Sequence, residues 1–217
     1  MRLPVKHVAR LIVLTIACAV IMALPARGQT AQPVKIVVLG DSLSAGFGLP
    51  AQDAFPAKLD AALKRKRIAA TIVNAGVSGD TSSGGLERLD WSVPDGTDAV
   101  ILELGANDML RGVDPAVTRK SIDAILAKLK ARNIAVLLCG MRAAPNMGPD
   151  YAREFDAIYP ALASTHGVVF YPFFLEGVAA DRSLNQPDGL HPTAAGIDAI
   201  VERILPKVEE LVGRVEK

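Results

Sequence analysis

The sequence predicts an α/β fold: a three-layer α/β/α sandwich, flavodoxin-like, built on a parallel sheet of five strands. Three observations predict it. Short apolar or β-branched runs alternate with helix-periodic segments along most of the chain. The runs are apolar throughout, as strands covered on both faces are. The connections between them are short, which favours right-handed βαβ units. At 217 residues, 50% hydrophobic and 22% charged, the chain is long enough for one such domain with a substantial core.

Val34–Leu39 (VKIVVL) is the first strand, closed by Gly40. Ala54–Arg67 follows as a helix, with Phe55, Leu59 and Leu63 four apart and a basic end that suits the negative pole of the helix dipole. Ala70–Asn74 is the second strand, and Ser78–Trp91 begins polar and turns helical. Asp98–Leu104 is the third strand. Pro115–Arg132 is a helix with proline at its start and Ile122, Ile125, Leu126 and Leu129 on one face. Ala135–Cys139 is the fourth strand. Asp150–His166 is a helix bent or interrupted near Pro160, Val168–Tyr171 the fifth strand, and Thr193–Val212 a closing helix that contains Pro206.

Residues 1–28 differ from the rest. Arg2, Lys6 and Arg10 precede an apolar run from Leu11 to Leu24, and Ala26-Arg27-Gly28 supplies small residues after it. The run is too short to span a bilayer comfortably and has the length of a signal-peptide apolar region. No second apolar stretch supports an uncleaved anchor, and Cys18 lies inside the run, which disfavours lipidation. The expected organisation is a signal peptide over 1–28, cleaved after Gly28, and one domain over 29–217, periplasmic or secreted, with no membrane span after cleavage. The mature chain would carry 20 basic and 23 acidic residues, a formal charge of −3, which excludes the basic field of a nucleic-acid binder. It would keep one cysteine, Cys139, so an internal disulfide and a structural zinc site are both excluded. Cys139 ends an apolar run and reads as a core thiol.

Four motifs fall at strand ends or before the last helix, where ligands bind on such a sheet. Gly40-Asp41-Ser42-Leu43-Ser44-Ala45-Gly46 follows strand one and offers a serine on a turn. It is neither the Gly-x-Ser-x-Gly elbow nor a P-loop. Asn74-Ala75-Gly76-Val77-Ser78-Gly79-Asp80 follows strand two, and Gly76 can present a bare backbone N–H. Glu103-Leu104-Gly105-Ala106-Asn107-Asp108 follows strand three, and Asn107 can donate an amide N–H. Asp188-Gly189-Leu190-His191-Pro192 precedes the last helix, and its Asp–His spacing lets one turn set carboxylate against imidazole. Alone, each has a bland reading: a cap, a glycine turn, an Asx-turn, a helix entry. Together they supply the parts of serine acyl transfer: Ser42 as nucleophile, His191 as base, Asp188 as orienting acid, and Gly76 and Asn107 as oxyanion donors. His166 ends a helix with no acid beside it in sequence and reads as a C-terminal cation. Asp41 and Asp108 read as loop-holding residues, and Trp91 as a packing residue.

With these blocks in view, the chain resembles the SGNH hydrolase superfamily, or GDSL esterases/lipases, whose four letters match Ser42, Gly76, Asn107 and His191. Tyr159-Pro160, Pro172-Phe173-Phe174 and Asp188-Gly189-Leu190-His191-Pro192 are similar to its bacterial periplasmic arylesterase, acyl-CoA thioesterase and lysophospholipase branch, and the likeness runs from Val34 to Val212. The resemblance implies a serine hydrolase that cleaves carboxylic esters or thioesters through an acyl-enzyme on Ser42, with lysophospholipid among its small-molecule substrates. It implies an oxyanion hole of the Ser42 and Gly76 N–H groups and the Asn107 amide, and no cofactor or metal. Met141–Tyr151, rich in Pro, Gly and Asn, is expected to shape the acyl pocket. Two other functions stay open on sequence: a carbohydrate O-acetylesterase, which the 5% aromatic content weighs against, and a non-catalytic binding module on the same fold.

Overall fold

Five apolar runs pair side by side in the order β2-β1-β3-β4-β5, all parallel, in a computed structural model that describes residues 32–215. The strands are β1 (Val34–Gly40), β2 (Ala70–Gly76), β3 (Ala99–Glu103), β4 (Ala135–Cys139) and β5 (Val169–Tyr171). The expected signal peptide lies outside the described residues. Among those described, no helix is long and apolar enough to cross a membrane.

The nine α-helices described are α1 (Ser42–Ala45), α2 (Phe55–Arg65), α3 (Ser82–Glu87), α4 (Leu89–Ser92), α5 (Ala106–Leu110), α6 (Pro115–Ala131), α7 (Pro149–Asp156), α8 (Ile158–His166) and α9 (Ala194–Val215). Helices α2 and α9 pack on each other and on one face of the sheet. Helices α3, α6 and α8 cover the other face. The predicted three layers and five parallel strands are therefore present. Central strands β1 and β3 are buried almost throughout, as continuous apolar runs should be. β2 departs from that expectation. It is an edge strand with Thr71, Val73 and Asn74 at the surface, so a polar residue every few positions costs it little.

The connections explain the other differences. The predicted Ser78–Trp91 helix is two short ones. Thr81 caps the first by accepting the Gly84 N–H, and Trp91, 72% exposed, does not pack as expected. The helix before β5 is interrupted near Pro160, as expected, with the break at Ala157. Pro160 then falls in the first turn of α8, where a missing N–H is harmless. Pro206 stays inside α9 on its exposed side, where water can take the freed carbonyl.

The chain leaves β1 in one direction to reach β2 and later returns to β1's other side for β3. That reversal opens a crevice beyond the carboxyl ends of β1 and β3. Gly40 at the end of β1 lies in register with both Gly76 and Glu103, so three of the four motifs start from one row of the sheet.

Candidate active site

Ser42 opens α1 directly after β1. Asp41 caps that turn, its Oδ1 accepting the Leu43 N–H at 3.0 Å. The Ser42 hydroxyl lies 3.0 Å from His191 Nε2, across 149 residues of sequence. On the other side of the ring, His191 Nδ1 lies 2.7 Å from Asp188 Oδ2. Asp188 Oδ1 also accepts the backbone N–H groups of Leu190 (2.9 Å) and His191 (3.0 Å). Those two N–H groups and the imidazole hold its carboxyl down at about 2. Asp188 is therefore ionised at any ordinary pH and accepts from Nδ1, which leaves the Nε2 lone pair facing the Ser42 hydroxyl. A small hairpin carries the pair. Asn185 and Pro192 bridge across it, Thr193 N–H donates to the Leu184 carbonyl, and the Asn185 amide is anchored on the carbonyls of Val178 and Asp181.

Asn107 lies on α5, just past β3. Gly105 permits this turn: its φ is +119°, and a Cβ there would stand 1.9 Å from the Tyr159 hydroxyl. Asn107 Nδ2 donates to Asp41 Oδ2 at 3.1 Å. Asp41 thus grips both the nucleophile turn and the amide, the loop-holding part the sequence suggests for it. Asp108 has a similar part elsewhere. It accepts from the Ser82 N–H and hydroxyl and from the Thr118 hydroxyl, tying α5 to α3 and α6.

Gly76 is placed differently from the expectation of a bare donor. Its N–H donates to Asn74 Oδ1 at 2.9 Å, and Asn74 Nδ2 donates to the Ala45 carbonyl at 3.2 Å. A Cβ on Gly76 would meet the Ala45 nitrogen at 2.7 Å. The glycine is thus needed for α1 to lie against the end of β2, and its N–H is already engaged.

Two carboxyls lie beneath the nucleophile. Burial pushes Asp41 up to about 6, against the pull of the Leu43 N–H and the Asn107 amide. Burial, with Asp41 alongside, pushes Glu103 well above the usual carboxylate range. Glu103 Oε2 accepts the Asp41 N–H at 3.4 Å, while the buried Oε1 has no partner among the described residues. A carboxyl raised on folding favours the folded state while protonated, and loses that benefit as pH climbs from its unfolded value through its folded one. Glu103→Gln keeps the shape without the charge. Its melting temperature is therefore expected to match wild type near pH 4 and to exceed it increasingly from pH 5 to pH 8, read by thermal melts across that range.

A cleft of about 630 Å³ opens beside Ser42 and His191. Its wall is largely apolar, with Leu110, Met141, Phe173, Leu175 and Leu190, and Arg142 is its one Lys or Arg side chain. Of the segment expected to shape it, Met141–Pro145 line the cleft. Tyr151 instead donates to the Val113 carbonyl and stacks on Phe155. Leu110 and Leu190, both about half exposed, are wall residues that the sequence did not single out, although Leu190 stands within the Asp188–Pro192 motif and Leu110 two residues beyond Asp108. Cys139 is buried, and its thiol is pushed up by burial. His166 ends α8 as expected but does have an acid beside it. Asp123 on α6 lies 2.6 Å from its Nε2, at the opposite end of the sheet from the cleft. Among the described residues, no group of three or more His, Cys, Asp and Glu side chains gathers to hold a metal ion.

A parallel α/β sheet with a serine, an imidazole and a carboxylate in line at its carboxyl edge defines a serine hydrolase. The chain belongs to the GDSL-like lipase/acylhydrolase family, whose model matches residues 38–199. It is 37% identical over 192 residues to esterase TesA of Pseudomonas aeruginosa, covering 88% of this chain and 96% of that protein. It is 39% identical to thioesterase 1/protease 1/lysophospholipase L1 of Escherichia coli, covering 82% of this chain and 84% of that one. The crystal structure of TesA superposes with a TM-score of 0.78 over 82% of this chain and 99% of its own. That of AlinE4, an SGNH-hydrolase family esterase, is 46% identical, with a TM-score of 0.70 over 82% of this chain and 96% of its own. The chain is thus a carboxylic ester hydrolase of the GDSL/SGNH type, as its motifs suggest.

Proposed function

We propose that the protein hydrolyses short and medium acyl esters and thioesters through an acyl-enzyme on Ser42. Ser42 Oγ attacks the acyl carbonyl while His191 Nε2 takes its proton. The C–O or C–S bond breaks as His191 returns that proton to the leaving alcohol or thiol. Water, activated by the same imidazole, then releases the acid. Asp188 fixes the tautomer. The oxyanion is held by the Ser42 N–H and the Asn107 amide, with Gly76 as a third donor that must share the hydrogen bond it gives to Asn74. One observation carries this reading: the chain of contacts Asp188–His191–Ser42, 2.7 and 3.0 Å long, ends at the mouth of an apolar cleft.

The cleft's chemistry favours an acyl chain over a sugar, whose hydroxyls would find few partners on this wall. Aryl esters, acyl-CoA and lysophospholipid are the proposed substrate range, and the relatives named esterase, thioesterase and lysophospholipase support its three bond types: ester, thioester and the ester of a lysophospholipid. The proposed setting is the periplasm or the exterior, reached through removal of residues 1–28. The test is turnover by the chain from Gln29 onward of p-nitrophenyl esters from acetyl to palmitoyl, with palmitoyl-CoA and a lysophospholipid alongside. The expected profile peaks at short or medium chains. A folded protein that turns over none of them would overturn the reading, and activity on acetylated sugars alone would make it an O-acetylesterase.

A further inference from the structure

We infer that Phe47 and Gln186 form a clamp that holds His191 against Ser42, which makes both of them positioning residues for acyl transfer; the inference rests on the proposed role of Ser42. The base and the nucleophile come from separate pieces of chain. The hairpin that carries Asp188 and His191 is anchored mainly on its own neighbourhood, from Val178 to Thr193, and the Asp188 side chain is 37% exposed. Apart from the bond between Ser42 and His191, the hydrogen bonds and ring contact that join this hairpin to the nucleophile turn among the described residues run through Phe47 and Gln186.

Gln186 grips the base from three sides. Its backbone N–H donates to the His191 carbonyl at 2.7 Å. One side-chain N–H donates to the Pro192 carbonyl at 2.9 Å and the other to the Phe47 carbonyl at 2.8 Å. Phe47 in turn donates its N–H to the carbonyl of Ser42 itself, at 3.2 Å. The hydrogen bonds therefore close a circuit: Ser42 to Phe47, Phe47 to Gln186, Gln186 to His191, and His191 back to Ser42. The Phe47 ring lies on the imidazole, centroids 4.5 Å apart and planes tilted by 36°. Asp188 pins one edge of the imidazole, and Phe47 limits its rocking out of plane.

Core packing does not account for Phe47. Its side chain is 49% exposed and stands outside the main apolar cluster. An aromatic ring left half in water, yet laid on the one imidazole that faces the nucleophile, is accounted for by what it does to that imidazole. Proton transfer is sensitive to this geometry, since a displacement of about 1 Å in reacting groups can cost about a hundredfold in rate.

The test measures kcat, KM, melting temperature and the rate of Ser42 phosphonylation for Phe47→Ala, Phe47→Tyr, Gln186→Ala and the double alanine variant, with p-nitrophenyl butyrate as substrate. Phe47→Ala and Gln186→Ala are each expected to lower kcat and phosphonylation by about tenfold or more, with KM changed less than about threefold. Melting temperature should move by no more than about 2 °C. Phe47→Tyr, which keeps a ring on the imidazole, is expected to restore the rate. The double variant should lose little more than the worse single one, because each opens the same circuit. Unchanged kcat in both single variants would overturn the clamp, and so would a rise in KM alone, which would mark Phe47 as a substrate contact. A wild type that is not phosphonylated at Ser42 would instead remove the reading on which the clamp rests.

Discussion

Ser42→Ala is expected to lower kcat by about four to six orders of magnitude on every ester and thioester the wild type cleaves. The loss should be this large because the alanine leaves nothing to form the acyl-enzyme, and His191 then has no hydroxyl to deprotonate. Residual turnover would come from the Asn107 amide and the cleft acting on water alone. Stability should barely change. The Ser42 side chain is only part-buried, and the hydroxyl's partner is an imidazole that can bond to water in its place. His191→Ala should lose a similar amount, and the double variant scarcely more, since the two act as one unit. A burst of p-nitrophenol from wild type and none from Ser42→Ala would locate the covalent step. A Ser42→Ala protein with even a hundredth of wild-type kcat would remove the serine from the mechanism.

Asn107→Ala is expected to cost kcat about two to three orders of magnitude, equivalent to about 3–4 kcal/mol of transition-state stabilisation. KM should change little, because the oxyanion exists only after attack. Folding should survive, as the side chain is part-buried and its recorded hydrogen bond is to Asp41 Oδ2. The same substitution has a second effect. Asp41 loses a donor that now pulls its carboxyl down, so its titration should rise further above about 6. The nucleophile turn then keeps a protonated Asp41 to higher pH, and the acid limb of the residual activity should shift upward. A pH profile of kcat/KM for Asn107→Ala and wild type checks both effects. An unchanged kcat would show that the amide does not touch the reaction.

Much of this site was legible because its parts are short and local. Asp188 and His191 are three residues apart, and the carboxylate that accepts two backbone N–H groups is written into that spacing. The fold was legible because β1, β3 and β4 are apolar on both faces. What escaped is what depends on partners far along the chain. Whether Gly76 has a free N–H depends on where the Asn74 side chain turns, and that depends on α1 packing over the strand end. The acid beside His166 comes from a helix 43 residues earlier. Trp91 was expected to pack because tryptophan usually does, yet the helix that carries it is one turn long and leaves it at the surface. The helix interruption near Pro160 was legible from the proline, although the break falls at Ala157 and Pro160 itself stands in the first turn of the next helix.

The cleft has one more implication. Much of its apolar wall hangs from the segments after β4 and β5, through Met141–Pro145, Phe173 and Leu175, while the nucleophile follows β1, the oxyanion amide follows β3 and the base rides on the hairpin before α9; Leu110 and Leu190, by contrast, share an element with the amide and the base. Selection can therefore reshape what enters without disturbing what reacts. A substitution in the segments after β4 and β5 changes the cargo, and the bond-breaking apparatus, mounted on other loops, carries on unaltered. Such a layout lets related chains drift from one acyl group to another by single steps, each step leaving a working enzyme behind it.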